Sequence, residues 1–247
     1  MESLPVLIKS IFVPTKRHYG ICRDSILNNL NNLRSQISEI YVVGWVGKQF
    51  RRDMEKYLLY LQKCTDIQIR TELWSGNFGK YYLFKNIKLD HQNYLYLDHD
   101  ILLSGTLPDY RDLNHMFGIL YLNQKGDCRH KHLGEIHVVD GHRVSQETHP
   151  GAFASGAFIS TRKVMQEIQD KIELKSVYGL DDYHISKISS EAGYRNGLLI
   201  DTYVHHPPEP SEEYTEWKAE QIRSVINGKT NYGRSIEEAN NFWIYTQ

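Results

Sequence analysis

The first hundred residues alternate between short apolar runs and longer segments in which apolar residues recur every three or four positions. The segments with helical spacing predict one helix after an Asp24 cap, a second over Phe50–Lys63 and a third after the glycine loop Gly76–Gly79. The apolar runs predict four strands, over Val6–Thr15, Glu39–Val46, Asp66–Leu73 and Tyr94–Leu103. This alternation indicates right-handed βαβ units, and hence an α/β fold with a mostly parallel central sheet and helices on both faces.

The pattern changes beyond residue 105, where a strand over MFGILYL is followed by a polar, histidine-rich stretch from Asn123 to Pro150. Later apolar segments predict strands over AFASGAFIS and LLIDTYV, and helices over Arg162–Glu173 and LDDYHISKISSEAG. No linker of the kind that joins two domains interrupts the chain. We therefore expect a single domain over 1–247, with halves at 1–105 and 106–206 and a C-terminal tail at 207–247.

Composition narrows the class of protein. With 40% hydrophobic residues in 247, the chain can bury a core, and its net charge of −1 argues against coating nucleic acid by electrostatics alone. Its three widely spaced cysteines favour neither a disulfide framework nor a zinc ribbon. No apolar run approaches a membrane span, and Lys9 breaks the apolar segment that a signal peptide would need. These features predict a cytoplasmic protein.

The sequence Asp98-His99-Asp100 at the end of the fourth strand carries the sharpest chemical signal. Alternate residues of a strand point the same way, so the two carboxylates would lie together where burial demands a cation or water. A D-x-D sequence also occurs by chance, and such a pair can cap a turn. Its place after four apolar residues, at the sheet edge where parallel sheets bind ligands, favours a metal site.

With these residues in this order, the chain resembles the GT-A glycosyltransferases, most closely the inverting family 2 type, over roughly residues 6 to 206. The resemblance implies a single GT-A (Rossmann-like) domain in which a nucleoside-diphosphate sugar is the donor. It implies that Asp98 and Asp100 bind the metal and that Asp98 and His99 contact the donor. Further donor contacts would come from the first-strand loop and from the helix after the glycine loop, through Pro14, Thr15, Lys16, Gly79, Lys80 and Asn86.

The same resemblance implies roles for residues of the second half. A histidine near the end of the domain, His205 or His206, would be a further metal ligand. An imidazole ligand would favour Mn²⁺ over Mg²⁺, whereas carboxylates suit either ion. In this family an acidic pair at a helix start supplies the base, which here is Asp181 and Asp182, the second being the base itself. Helix capping alone also explains such a pair. The acceptor side corresponds to Ser155, Gly156 and Ala157.

One position departs from the family pattern. Where the family has an acidic residue after the second strand to hold the nucleotide, this chain has Gly44 and Trp45. Base binding would then use stacking on Trp45 or a different contact, and the donor nucleotide stays open.

Several alternatives stay open. A retaining GT-A enzyme shares the fold and the D-x-D, so inversion depends on the acidic pair. A sugar-1-phosphate nucleotidyltransferase would need a glycine-rich loop after the first strand, and VPTKRHYG is not one. A binding protein without catalytic activity is a third class. The acceptor hydroxyl could belong to a glycan, a protein, a small molecule or a nucleic-acid base.

The histidine-rich stretch allows two interpretations. Zinc binding is conceivable, but no periodicity places the candidate ligands on one rigid element, so a polar acceptor-binding loop is favoured. The candidate ligands are His130, His132, Glu135 and His137.

Overall fold

The computed structural model describes residues 4–74, 79–104, 107, 115–122, 133–139, 142–147, 156–173 and 181–206. Within these ranges the five helices are α1 Lys16–Leu33, α2 Lys48–Cys64, α3 Gly79–Asn86, α4 Arg162–Lys171 and α5 Asp181–Glu191. The ten strands of the same described residues are β1 Val6–Val13, β2 Glu39–Val46, β3 Gln68–Trp74, β4 Asn93–Leu97, β5 Leu102–Ser104, β6 His115–Leu122, β7 Leu133–Val139, β8 His142–Glu147, β9 Ala157–Thr161 and β10 Arg195–His205. No helix in these ranges has the length and apolarity that a membrane span requires.

All ten strands join one sheet, in the order β3-β2-β1-β4-β9-β6-β10-β8-β7, with β5 paired to β10 outside this path. Strands β3, β2, β1 and β4 are mutually parallel, and β6 and β10 run in the same direction. Strand β9 lies between the two groups and is antiparallel to both of its neighbours. The predicted α/β fold with a mostly parallel central sheet is therefore confirmed.

Helices cover both faces of the sheet, as the sequence pattern predicts. Along β1, Leu7, Ile11 and Val13 pack into one apolar cluster with α1 and α2. Val6 and Ile8 point to the opposite face and pack with α3, α4 and α5. Successive strand residues alternate between faces, so a strand buried on both sides reads as a continuous apolar run.

Helix α1 begins at Lys16, so the predicted start after Asp24 is wrong. Thr15 is the N-cap, and its hydroxyl oxygen accepts a hydrogen bond from the backbone N–H of His18 at 3.3 Å. The buried face of α1 already includes His18 and Cys22, two residues that an apolar-periodicity criterion weights poorly. The helix therefore follows β1 almost directly.

The fourth strand ends at Leu97 rather than at the predicted Leu103. The N–H of Ile101 donates to the carbonyl oxygen of Asp98 at 3.2 Å, which closes a turn after the strand. The chain then forms β5, which pairs antiparallel with β10. Within the histidine-rich stretch, the described residues 133–139 and 142–147 form the antiparallel strands β7 and β8.

Gly44 lets β1 and β2 lie unusually close together. It has a φ of +143°, and a Cβ built there would overlap the carbonyl oxygen of its β1 partner Ile11 and lie 3.0 Å from that residue's nitrogen. These neighbours are backbone atoms in the middle of a sheet, so they cannot move aside locally. Gly20, on α1, has no atom within 4 Å of such a Cβ.

We expect Gly44→Ala to lower the free energy of unfolding by about 2 kcal/mol or more, through backbone strain and steric overlap. Gly20→Ala is the matched control, and we expect it to raise stability by about 0.5–1 kcal/mol because alanine is the better helix former. Urea unfolding of both variants provides the measurement. Equal stability of the two variants would contradict the tight β1–β2 contact.

Candidate active site

Asp98, the residue that follows β4, is held by contacts on every side. One carboxylate oxygen, Oδ1, accepts hydrogen bonds from the Tyr96 hydroxyl at 2.8 Å and from the Ser10 hydroxyl at 3.2 Å. The other oxygen, Oδ2, lies 2.8 Å from Nζ of Lys80. Its N–H donates to the carbonyl oxygen of Gly156 at 2.8 Å. Both oxygens of this carboxylate therefore have protein partners.

Lys80 extends this group to the start of α5. Its Nζ also lies 3.1 Å from Oδ2 of Asp181, so one ammonium bridges two carboxylates. Asp182 follows as the second residue of α5, and its side chain lies outside the described part of the structure. The structure thus brings Asp98, Lys80 and Asp181 together, from β4, α3 and α5 respectively.

Asp100 has a very different environment, although it lies only two residues from Asp98. It is 7% exposed, and its Oδ1 has no hydrogen-bond partner among the described residues. Its Oδ2 lies 3.5 Å from Nε2 of His206 and 3.7 Å from Nε2 of His99. Within the described ranges, no three His, Cys, Asp or Glu side chains already surround a common metal position. The carboxylate is nonetheless buried, under-coordinated and next to two imidazoles.

The electrostatic surroundings keep Asp100 ionised. Burial opposes its charge, but the charged forms of His99 and His206, together with Lys9, outweigh that effect and hold the pKa of this carboxyl below its usual range. Burial also lowers the pKa of His99, which favours the neutral form of its imidazole. A neutral imidazole has a nitrogen lone pair for a metal ion, and an ionised carboxylate is an oxygen ligand.

The sequence analysis did not predict the buried side chains of β1 and α1 that donate hydrogen bonds to the backbone of this turn. Lys9 is fully buried on the α1 side of β1, and its ammonium donates to the carbonyl oxygens of Asp98 and Ile101. From α1, Ser25 donates to the carbonyl oxygen of His99 at 2.6 Å, and Asn29 to that of Ile101 at 3.1 Å. The available signals were a lysine inside an apolar strand and buried polar residues at helical spacing.

The predicted nucleotide side carries a group of aromatic rings. Trp45, at the end of β2, lies with its ring centroid 5.2 Å from that of Phe12. The Phe12 ring is in turn 5.9 Å from the ring of His18 and 6.0 Å from that of His99. Trp45 is therefore joined to the Asp98–Asp100 turn through Phe12 and His99. Of the predicted loop residues, Pro14 is half-buried, and Thr15 and Lys16 are exposed at the start of α1.

Other predicted residues are placed less closely. Asn86 is exposed at the end of α3, where its side chain donates to the carbonyl oxygen of Tyr82 at 2.8 Å. Gly79 is the first residue of α3, directly before Lys80. His205 pairs in register with Leu102 as the last residue of β10, and no contact described for its side chain reaches Asp100.

The acceptor-side and zinc predictions are described only in part. Ala157 pairs with Leu97 beside Asp98, whereas Ser155 falls outside the described ranges. Of the zinc candidates, Glu135 and His137 lie 3.7 Å apart on the exposed strand β7. The other two candidates, His130 and His132, lie outside the described residues.

Comparison with solved structures finds this architecture in the crystal structure of GalNAc-T7 with UDP, GalNAc and Mn²⁺, which has a GT-A fold. The TM-score is 0.57 with 11% sequence identity, over 85% of this chain and 46% of that chain. This chain thus spans less than half the length of that protein. No protein-family model and no curated protein matches the sequence. At this identity the likeness shows the fold, which is GT-A-like.

The unequal surroundings of the two aspartates predict unequal effects on stability. Asp98→Ala leaves the buried Tyr96 hydroxyl without its acceptor and takes from Lys80 one of its two carboxylate partners, so we expect a loss of about 2–4 kcal/mol. Asp100→Ala removes a buried carboxylate with one unpartnered oxygen, so we expect a change of less than about 1 kcal/mol. Urea unfolding in the presence of a metal chelator provides the measurement. A larger loss for Asp100→Ala would contradict this reading of the site.

Proposed function

We propose that this protein is a metal-dependent glycosyltransferase that moves a sugar from a nucleoside-diphosphate sugar to a hydroxyl acceptor. The observation that carries the proposal is Asp100, a buried, ionised and under-coordinated carboxylate beside two imidazoles. It lies at the carboxyl edge of the parallel strands of a GT-A-like sheet, where such sheets bind ligands. A stability role does not explain it, because an unpartnered buried carboxylate costs free energy.

The residues present fit a divalent cation. Asp100 and His206 would hold it, with His99 as a further ligand, and this mixture of carboxylate and imidazole favours Mn²⁺ over Mg²⁺. A bound cation would neutralise the charge that develops on the leaving diphosphate. Both oxygens of Asp98 are engaged by the protein, so we propose that Asp98 shapes the site and does not ligate the ion directly.

The remaining site residues suit a donor. Lys80 supplies a positive charge beside the turn, where it would meet the diphosphate. The rings of Trp45 and Phe12 offer flat faces to a nucleobase, bordered by the first-strand loop at Pro14, Thr15 and Lys16. Gly79 and Asn86 bound the helix that carries Lys80.

Asp182 is the base that we propose for removing the acceptor proton. Of the two acidic residues at the start of α5, Asp181 is already engaged by Lys80, which leaves Asp182 for this role. A carboxylate at a helix N-terminus stays ionised and accepting. With Asp182 as the base, the acceptor hydroxyl would attack the donor directly and the anomeric carbon would invert. Ser155, Gly156 and Ala157 would border the acceptor.

A sugar-1-phosphate nucleotidyltransferase fits less well. In the described segment 4–74, only Pro14 and Thr15 separate β1 from α1, which leaves no room for a glycine-rich phosphate loop there. A binding protein without activity would hold the same nucleotide but release no product.

In the proposed transferase, the 1–105 half would supply Asp98 and Asp100, and the 106–206 half would supply Asp182 and His206. The acceptor stays open among glycans, proteins, small molecules and nucleic acids.

Metal-dependent nucleotide binding tests the site. With Mn²⁺ present, we expect at least one nucleoside diphosphate, with UDP tested first, to raise the melting temperature by about 5 °C near 100 times its Kd. His206→Ala should abolish the metal-dependent part of this shift, whereas His205→Ala, whose side chain has no described contact with Asp100, should retain it. Differential scanning fluorimetry with and without chelator measures both. Equal shifts with and without metal would exclude the proposed cation site.

Release of nucleoside diphosphate from a panel of nucleotide sugars tests the chemistry, with water or an added acceptor taking the sugar. We expect Asp182→Asn to lower kcat by about 10²–10⁴-fold with little change in KM for the donor, as for loss of a general base. Glu191→Gln, at the other end of α5, is the matched control and should be neutral. NMR of the product anomer then distinguishes inversion from retention. Full activity of Asp182→Asn would exclude its role as the base.

A further inference from the structure

The backbone of the segment from Asp98 to Leu103, termed the metal turn here, accepts hydrogen bonds from side chains of the first 32 residues. Its carbonyl oxygens at positions 98, 99, 101 and 103 each accept a hydrogen bond from a side chain. The donors lie on β1 and on α1, and they are Lys9, Ser25, Asn29 and Asn32. Carbonyls in a turn usually bind water, so side-chain donors to four of the six carbonyl oxygens of this segment are a specific arrangement.

Lys9 is the centre of this arrangement. It is 0% exposed, in the middle of the apolar face that β1 turns to α1, and its ammonium donates to Asp98 and Ile101 at the two ends of the tight turn. Burying an ammonium is costly, and an apolar side chain of similar size would fit that face at lower cost. Stability alone therefore does not account for a lysine at this position.

Helix α1 completes the support. Ser25, Asn29 and Asn32 recur at positions i, i+4 and i+7, so they line one face of the helix. Asn29 contacts the turn twice, since its amide also accepts from the N–H of Leu103 at 3.2 Å. Asn32 donates to the carbonyl oxygen of Leu103 at 3.0 Å. These contacts fix the backbone on both sides of Asp100 without touching its carboxylate.

We infer that Lys9, together with Ser25 and Asn29, is a positioning residue that holds the metal turn in the conformation that presents Asp100 to a divalent cation. The part that concerns the cation rests on the proposed function. The part that concerns the turn rests on the backbone contacts alone. Support for groups that carry ligands commonly changes metal affinity without direct contact with the metal.

Lys9→Met in the full chain tests this inference, because methionine keeps most of the length of the side chain and removes its donors. We expect hydrogen exchange at Asp98–Leu103 to become at least about tenfold faster relative to β2, and Mn²⁺ affinity to fall about 10–100-fold. Titration with Mn²⁺ alone, followed by calorimetry, reads out the affinity. Ser25→Ala removes a single donor, remains informative if Lys9→Met does not fold, and should shift both readouts in the same direction by less.

Asn196→Ala is the matched control. Asn196 is also buried and bonded to a backbone carbonyl, that of Ser186 at 2.8 Å, but it lies at the opposite end of β10 from His206. It should lower stability and leave Mn²⁺ affinity unchanged. Unchanged exchange in the metal turn of both test variants, or equal loss of Mn²⁺ affinity in Lys9→Met and Asn196→Ala, would overturn the inference. A wild-type chain that binds no Mn²⁺ would overturn the proposed metal site, and the exchange data would still decide the role of Lys9.

Discussion

The position of Asp98 determines the geometry of the whole carboxyl edge, because this one residue joins elements that are far apart in the sequence. Its carbonyl oxygen is bound by Lys9 from β1, and its N–H by Gly156 before β9. Its carboxylate is bound by Lys80 from α3 and Ser10 from β1. Two lysines thus hold it, one at the backbone and one at the side chain. Loss of either lysine contact would weaken the hold on Asp98 and hence on the turn that follows it.

The two aspartates of the D-x-D sequence perform different physical tasks. Asp98 is fully partnered and stabilises the edge, whereas Asp100 is buried with one oxygen unpartnered. A buried carboxylate with an unpartnered oxygen costs free energy, so its presence at Asp100 indicates a functional site. The residue between them contributes as well, since burial lowers the pKa of His99 and so favours the neutral imidazole, the form that can act as a ligand. The two aspartates of the D-x-D sequence are therefore not equivalent in the structure.

Local periodicity was sufficient to predict that strands β1 to β4 exist and run parallel, because β1, β2 and β4 are short apolar runs and β3 has the β-branched residues Ile69 and Thr71 at alternate positions. The start of α1 was not predictable in this way, since its first turns bury His18 and Cys22 rather than aliphatic residues. The end of β4 was missed because Leu102 and Leu103 are apolar for a different reason, the pairing of β5 with β10. The spacing of apolar residues indicates that a segment is buried, but it does not indicate which strand the segment pairs with.

The candidate site shows the same division between local and long-range information. Asp98 and Asp100 were found because two carboxylates are chemically unusual at the end of a buried strand, and the acidic pair of α5 was found through its match to a family pattern. Lys9 was visible in the sequence, but its role depends on the carbonyls of a turn about ninety positions away. Asn86 matched a family pattern and yet is exposed to solvent. It is the last residue of α3, whereas Lys80 lies at the start of that helix.

The pairing of β5 with β10 explains why a ligand pair can form from residues more than a hundred positions apart. His205 pairs with Leu102, so His206 lies opposite the metal turn, next to Asp100. Of the contacts described for the two tandem histidines, that of His206 reaches this carboxylate. The other side of β5 is bound by Asn29 and by Asn32 from α1. A short strand between α1 and β10 therefore couples the support of the turn to the position of its second imidazole, and a disturbance at α1 would reach both candidate ligands together.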